Sequence, residues 1–375
     1  MTALRRNGTR HRRTISLSLA VAAIAVLFSI PIGNFGGAGA SAAYYYYNPG
    51  AGPATLVLTP AAATNPVGTT HTVTATVTQD GNPVEGVNVP FSVTGSVTTV
   101  GACTTDASGQ CSFSYVGPSH PGSDVISAFA DTNGNGMADA DEPTATATKI
   151  WTVGQPALLV LMPPAATNSV GTTHTVTATV TDAFANPVKG VTVRFSVTGS
   201  VTTSGSCVTD AAGQCTFSYS GPALPGADLI SAFADTNGNG TADAGEPVAT
   251  ATKAWVLPAS TAGHVTGGGQ ISVAGDAVTF GFNAKSTGVI AKGECTVVDH
   301  DTGTKIKCVD ATVLVQSGNE ATIYGHATQD GTPTTYVIHV VDNGESGRGQ
   351  DTFSIKTASG YSASGTLTAG NIQVH

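Results

Sequence analysis

The chain says nearly the same thing twice. VGTTHTVTATVT runs from Val67 to Thr78 and again from Val170 to Thr181, FSVTGSVTT starts at Phe91 and at Phe195, and ISAFADTNGNG starts at Ile126 and at Ile230. The offset is 103 residues before the first turn and 104 after it, because QDGNPVEG has become DAFANPVKG with one residue added. Self-similarity at a fixed period signals an array of like units, and a period near 100 residues is too long for a solenoid repeat. Each copy is the size of a whole domain. The copies occupy residues 54–153 and 155–257, followed by a linker at 258–262 and a distinct segment at 263–375.

Inside each copy, short apolar-alternating runs are separated by turn residues, which predicts an all-β chain. From Thr72 to Val77 threonine alternates with Val73, Ala75 and Val77, so the apolar residues share one face. Asp80-Gly81 is a hairpin turn signal, since both residues tolerate positive φ. Val87, Val89, Phe91 and Val93 alternate next, with Pro90 on the opposite face and expected near a sheet edge. Further runs at 110–116, 124–130 and 144–152 bring the total to about seven strands, enough for a two-sheet sandwich. Trp151 and Trp255 are expected to plug a core or a junction. Beyond Gly263 the runs HVTGGGQISV, AVTFGF, YVIHVVDNG and DTFSIKT predict a third all-β body.

At the start, Arg5, Arg6, Arg10, Arg12 and Arg13 precede an uncharged apolar run, Ile15 to Ile32, and then Ala40-Ser41-Ala42. This is the order of a secretory signal peptide, assigned to residues 1–42. Residues 43–53, with four tyrosines and NPGAGP, read as an unstructured lead-in. Without the signal, 10 Lys+Arg (15 less 5) face 24 Asp+Glu, a formal charge of −14. That sign argues against nucleic acid and anionic membrane as partners and suits cation binding, which needs carboxylates. No membrane span is expected in the mature chain, which is placed outside the cell or on its surface.

The run VTATVT…NPVxGVxVxFSVTG, followed by TDAxGQ, resembles the bacterial immunoglobulin-like group 1 domains of invasin- and intimin-type surface proteins. The matching stretches are Thr72 to Gly95 with Thr105 to Gln110, and Thr175 to Gly199 with Thr209 to Gln214. The resemblance implies β-sandwiches serving as extracellular spacers or adhesin stalks. The antibody-type cysteine pair between sheets is missing, so the core is expected to hold by packing alone. The segment 263–375 resembles the module called post-COAP of secreted bacterial proteins, a likeness that brings no known chemistry.

Six cysteines form three close pairs: Cys103/Cys111, Cys207/Cys215 and Cys295/Cys308. In an exported chain an even count reads as disulfides. Each pair brackets a turn, and a hairpin would bring its members within bonding range. The sharpest chemical signal is DTNGNGMADADE, Asp131 to Glu142, with its twin DTNGNGTADAGE, Asp235 to Glu246. Both fit the twelve-residue calcium-loop pattern D-x-[DN]-x-[DN]-G-x5-E. The donors would be Asp131, Asn133, Asn135, the carbonyl of Met137, Asp139 and Glu142, with Gly136 at the sharp bend. In the second copy they would be Asp235, Asn237, Asn239, Thr241, Asp243 and Glu246 around Gly240. The bland alternative is a polar turn. Strands flank each loop, so this would be an EF-hand-like loop without the helices.

Catalysis finds no motif: neither a GxSxG elbow nor an HExxH helix occurs. His71 and His174 sit at matching strand starts and read as solvated or satisfied residues, and His264, His300, His326, His339 and His375 lack ligand spacing. The expected role is therefore structural or adhesive at the cell surface and non-enzymatic, with calcium stiffening the repeats. The ligand would be an extracellular or cell-envelope polysaccharide or protein. One alternative places a carbohydrate- or surface-binding site in the C-terminal module. The weakest alternative is a hydrolase there.

Overall fold

The computed structural model describes residues 54–375, and every regular element among them is a β-strand. The expected signal peptide and lead-in lie outside the described residues. Two compact units emerge: one holds residues up to Ala63, Thr70–Tyr115 and Asp124–Lys149, the other Thr64–Thr69, Val116–Ser123 and Ile150–His375.

The first repeat supplies β1 (Ala54–Thr59), β2 (Ala62–Pro66), β3 (Thr70–Gln79), β4 (Asn82–Pro83) and β5 (Asn88–Gly95). It continues with β6 (Thr99–Thr104), β7 (Gln110–Val116), β8 (Gly122–Phe129) and β9 (Thr144–Thr152). One sheet contains β1, β3, β4 and β7; the other runs β2-β9-β8-β5-β6. Period-two patterning explains β3, where His71, Val73, Ala75 and Val77 are buried and the intervening threonines point out. Asp80 and Gly81 adopt φ of 52° and 78°, closing the β3–β4 hairpin in register Gln79↔Asn82. Pro90 is not on an edge strand, because β5 lies between β6 and β8. The continuous ladder to β8 begins only at Phe91, so the missing N–H of Pro90 falls beyond it.

The second unit contains the other repeat, with β10 (Leu158–Met162), β11 (Ala165–Ser169), β12 (Thr173–Thr181) and β13 (Thr192–Gly199). After them come β14 (Thr203–Val208), β15 (Gln214–Ser220), β16 (Gly226–Asp235) and β17 (Val248–Val256). The sheets are β10-β12-β15 and β11-β17-β16-β13-β14. The inserted residue widens the first turn. Asp182 Oδ1 accepts the N–H groups of Phe184 and Asn186, both at 2.9 Å, while Ala185 takes φ of 64°.

Disulfides join Cys103 to Cys111 and Cys207 to Cys215. These turns are not hairpins within one sheet. Cys207 lies on β14 and Cys215 on β15, which belong to opposite sheets, and Cys103 on β6 and Cys111 on β7 repeat that arrangement. Each sandwich is therefore bridged between sheets at one edge rather than held by packing alone. A buried polar network adds to this. Asp228 Oδ2 accepts from Trp255 Nε1 at 2.6 Å and Tyr219 Oη at 3.1 Å, and Oδ1 accepts from Val201 N–H at 2.8 Å. Opposite Asp228 in the ladder sits Lys253, 1% exposed, its Nζ 4.3 Å from the Trp255 ring centroid and donating to the Ala254 carbonyl. In the first repeat Tyr115 donates to Asp124 at 3.2 Å, and Lys149 and Trp151 are equally buried.

The remaining strands are β18 (Ala262–Val273), β19 (Asp276–Thr287), β20 (Ala291–Asp299), β21 (Lys305–Cys308) and β22 (Val313–Ser317). They end with β23 (Glu320–Gln329), β24 (Thr332–Val341), β25 (Thr352–Thr357) and β26 (Ser362–Val374). The order β21-β20-β19-β18-β26-β25-β24-β23 closes on itself because β21 also pairs with β23, giving an eight-stranded barrel with β22 outside the ring. Eight strands leave room for side chains or one small ligand, and here side chains occupy the interior. Phe280 stacks on Phe353 at 3.8 Å between centroids, among Ile271, Phe282, Leu314 and Ile338. Cys295 and Cys308 face each other across β20 and β21 and are bonded. This bridge does lie within a hairpin.

Candidate functional site

The calcium-type loops connect neighbouring antiparallel strands, β8 to β9 and β16 to β17. Asp235 is the last residue of β16, whereas Asp131 lies two residues beyond β8, held by an isolated bridge to Asn88; they are 5% and 6% exposed. Their carboxylates face inward to the loop, where the sixth-position glycines take φ of 76° and 83°. Only glycine adopts that conformation readily, and it turns the Gly136 N–H onto Asp131 Oδ2 at 3.0 Å.

In the first loop the side chains of Asn133 and Asn135 converge on one oxygen, Asp139 Oδ2, at 2.7 and 2.6 Å. These two amides hold the Asp139 carboxyl below the usual carboxylate range. Glu142, 6% exposed, reaches back across the loop. Its Oε1 accepts from Thr132 N–H at 2.8 Å and its Oε2 from Asp139 N–H at 3.2 Å. The second loop repeats the plan, with Asn237 and Asn239 on Asp243 Oδ2 at 2.7 and 2.6 Å. Glu246 Oε1 accepts from Thr236 N–H at 2.7 Å, and the Asp243 N–H lowers the Glu246 pKa first among its causes. Met137 and Thr241, expected to offer carbonyls, donate N–H to Asn135 and Asn239 Oδ1 at 2.7 and 2.8 Å.

The donor set therefore fits calcium in kind and in order around the loop: carboxylate and amide oxygens at positions one, three, five, nine and twelve. Most of the carboxylate oxygens accept N–H groups of their own loop, the exception being Asp235, whose Oδ2 also takes Arg194 Nε. Among the described residues no group of three His, Cys, Asp and Glu side chains is gathered as a metal site. An ion would require the asparagine amides to turn their oxygens inward. In that arrangement it would replace the amide N–H donors that Asp139 and Asp243 now accept.

Residues 164–224 match the family model of the bacterial Ig-like domain (group 1). That stretch covers most of the second repeat up to β15 and stops short of its loop. The chain is also similar to solved structures. The D0–D1 domain of intimin is 19% identical over 54% of this chain and 98% of its own, with a TM-score of 0.19. The Yersinia pseudotuberculosis adhesin InvE is 20% identical over 60% of this chain and 66% of its own, with a TM-score of 0.26. A D1–D4 ectodomain fragment of ICAM-5 is 11% identical over 86% and 98%, with a TM-score of 0.34. No curated protein matches the chain.

The histidines fall elsewhere. His174 is not solvated: it is 4% exposed, lies edge-on to Tyr219 and Trp255, and its Nε2 has no hydrogen-bond partner among the described residues. Burial, then the charge of Lys253, pushes its pKa down. His71 is buried in the same way against Tyr115. In the barrel, His326 pairs with Asp310 at 3.0 Å, His339 with Thr322 at 3.1 Å and His300 with Thr279 at 3.0 Å. A cavity of about 200 Å³ is lined by Leu224, Pro225 and Leu257 together with Tyr324, His326 and Tyr336 of the barrel. Sequence reasoning missed this cavity and the Asp228–Lys253 network. The second had a signal, because Asp228 and Lys253 fall in phase with Ile230 and Ala251, residues that face the core. Among the described residues no helix is long and apolar enough to cross a membrane, a statement that does not concern strands.

Proposed function

We propose that the chain is an exported, surface-associated adhesive or structural protein in which two immunoglobulin-like sandwiches space out a C-terminal β-barrel. The observation that carries this reading is the match of residues 164–224 to the bacterial Ig-like group 1 model, together with the near-copy of that sequence in the first repeat. A duplicated, disulfide-bridged sandwich with a filled core is suited to bearing load and holding distance. It acts by binding rather than by catalysis. The loops at Asp131–Glu142 and Asp235–Glu246 take calcium at the concentrations found outside cells, where such sites bind at about 10⁻⁴–10⁻³ M. Filling them fixes the entry to β9 and β17, the strands that lead out of each sandwich.

The 200 Å³ cavity beside the barrel favours a second reading, in which the C-terminal module contacts a saccharide through Tyr324 and His326. The experiment for both is to probe the full chain, calcium-loaded, against arrays of cell-envelope polysaccharides and extracellular proteins, while locating it on intact cells by antibody and protease shaving. Surface location with saturable binding and unaltered ligand supports the proposal. A chain found only inside the cell, or one that cleaves the polysaccharide it meets, contradicts it. Loss of saccharide binding in Tyr324→Ala would favour the second reading.

A further inference from the structure

The two loops share their calcium pattern but not their surroundings. At position 194 the second repeat has arginine where the first has Pro90. Arg194 projects from β13, and its Nε donates to Asp235 Oδ2 at 2.6 Å. The Asp235 side chain is 0% exposed and that of Arg194 39%. The guanidinium lies over Gly240, the loop's sixth residue, so that a Cβ added there would stand 3.4 Å from Nη2.

This contact changes how the first ligand is held. In the first loop both oxygens of Asp131 accept backbone N–H groups, Oδ1 from Asn135 at 3.1 Å and Oδ2 from Gly136 at 3.0 Å. In the second loop Oδ2 takes Arg194 and the Gly240 N–H, the latter at 3.1 Å. The Asn239 N–H donates only to Asn237 Oδ1, at 3.0 Å, whereas its counterpart Asn135 N–H is shared between Asn133 Oδ1 and Asp131 Oδ1. Among the described residues Asp235 Oδ1 is buried with no hydrogen-bond partner. A buried carboxylate oxygen without a donor is costly, and a cation is the partner that satisfies it. The second loop thus still asks for an ion on Oδ1 while carrying a fixed positive charge on Oδ2. Charge elsewhere moves the same way: Asp141 precedes the twelfth-position Glu142 in the first loop, whereas Gly245, at φ of 94°, precedes Glu246 in the second.

Resting on the calcium reading above, we propose that the two loops are graded calcium sites, the first tight and the second weak, and that Arg194 is the positioning residue that separates them. Arg194 acts as a built-in counter-cation. It neutralises one of three ligand carboxylates, keeps the second loop partly closed without metal and opposes the incoming divalent ion. One unit charge about 6 Å from a divalent ion in a water-like medium weakens binding about tenfold. The repeats would then respond over different ranges of calcium, the first filling before the second.

The test is an isothermal calcium titration of the full chain, with far-ultraviolet spectra and melting in chelator confirming that each variant folds. The wild type is expected to show two classes of site about tenfold or more apart. Glu142→Ala should remove the tight class and Glu246→Ala the weak one. Arg194→Gln should tighten the weak class to within about threefold of the tight one, whereas Arg194→Lys should leave the two apart. Two equal classes in the wild type, or a weak class unmoved by Arg194→Gln, would overturn the inference and leave the calcium reading standing. Absence of binding in every variant overturns both.

Discussion

The sandwiches and the barrel use the same short, threonine-rich strands, yet they solve the problem of sheet edges differently. The barrel closes its ladder, with β21 hydrogen-bonded to β20 on one side and β23 on the other. Its interior is packed around the Phe280–Phe353 stack, and its buried carboxylate, Asp351, accepts the backbone N–H groups of Asn343 and Ile372. Each sandwich keeps two separate sheets, which hydrophobic contact alone would allow to slide. There the sheets are pinned by a bridge from β14 to β15 and by the Asp228–Tyr219–Trp255 network, which fixes β16, β15 and β17 to one buried carboxylate. Closure by backbone replaces closure by side chains. The difference locates where each body is vulnerable.

The largest effects should therefore come from opposite chemistries. Asp228→Ala strips the partner from two buried donors and leaves Lys253 buried beside an apolar site, costing about 3–5 kcal/mol. Phe353→Ala opens a cavity in the barrel at a similar cost of about 3–5 kcal/mol. Calorimetry of the full chain should show Asp228→Ala lowering the transition of the sandwich and Phe353→Ala that of the barrel. We expect residues 54–153, 155–257 and 263–375 to behave as separate folding bodies. A single transition shifted equally by both changes would break the contrast. Tyr324 and Val337 of the barrel, which pack in the second repeat's core cluster, are the residues through which such coupling would run.

Next in size are the disulfides. Bridges spanning 8 and 13 residues are worth about 2–3 kcal/mol each by loop-closure entropy. The entropic gain is similar, but the roles differ. Replacing Cys207 and Cys215 by serine removes one of the two pins between the sheets, whereas Cys295 and Cys308 remain joined through the β20–β21 ladder. Hydrogen exchange should accelerate across β14 and β15 in the first variant and stay local to the hairpin in the second. Equal, purely local effects would remove the distinction.

How much of this was legible in the sequence depends on what the signal had to report. Thr72 to Val77 announced its face because alternation is a property of the strand itself, and Asp80-Gly81 announced its turn because φ is local. The sheet to which a strand belongs is not local: TTDASGQ between Cys103 and Cys111 reads as a hairpin turn, yet it carries the chain from one sheet to the other. Lys253 and Asp228 break the apolar rule at core positions, and pattern reading discounts a charge that arrives with its own partners. Arg194 was invisible for a simpler reason, since it lies 41 residues from the aspartate it touches.

A smaller effect should follow pH. His174 has its pKa lowered by burial and by Lys253, so the unfolded chain, with an ordinary histidine near 6.5, binds the proton more readily. Stability is therefore full above about pH 6.5 and falls as pH drops through it, by at most about 1.4 kcal/mol per pH unit for one proton. His71, lowered for the same first reason, should act in parallel in the other repeat. His174→Gln should flatten part of the slope between pH 7.5 and 5.5. A melting temperature that rises on acidification would contradict this account of the sandwich core.

The claim that the repeats are spacers stiffened by extracellular calcium is tested most directly by thermal melting of the full chain against calcium. The gain per site is about 0.4 kcal/mol when free ion equals the dissociation constant and about 1.4 kcal/mol at ten times it. In a domain of this size that raises the melting temperature by several degrees. The sandwich transitions should climb with calcium between about 10⁻⁴ and 10⁻² M, climb less with magnesium, and lose the rise in a Glu142→Ala, Glu246→Ala double variant. The barrel transition should not move. Sandwich transitions indifferent to calcium across that range would show that Asp131–Glu142 and Asp235–Glu246 are turns and nothing more.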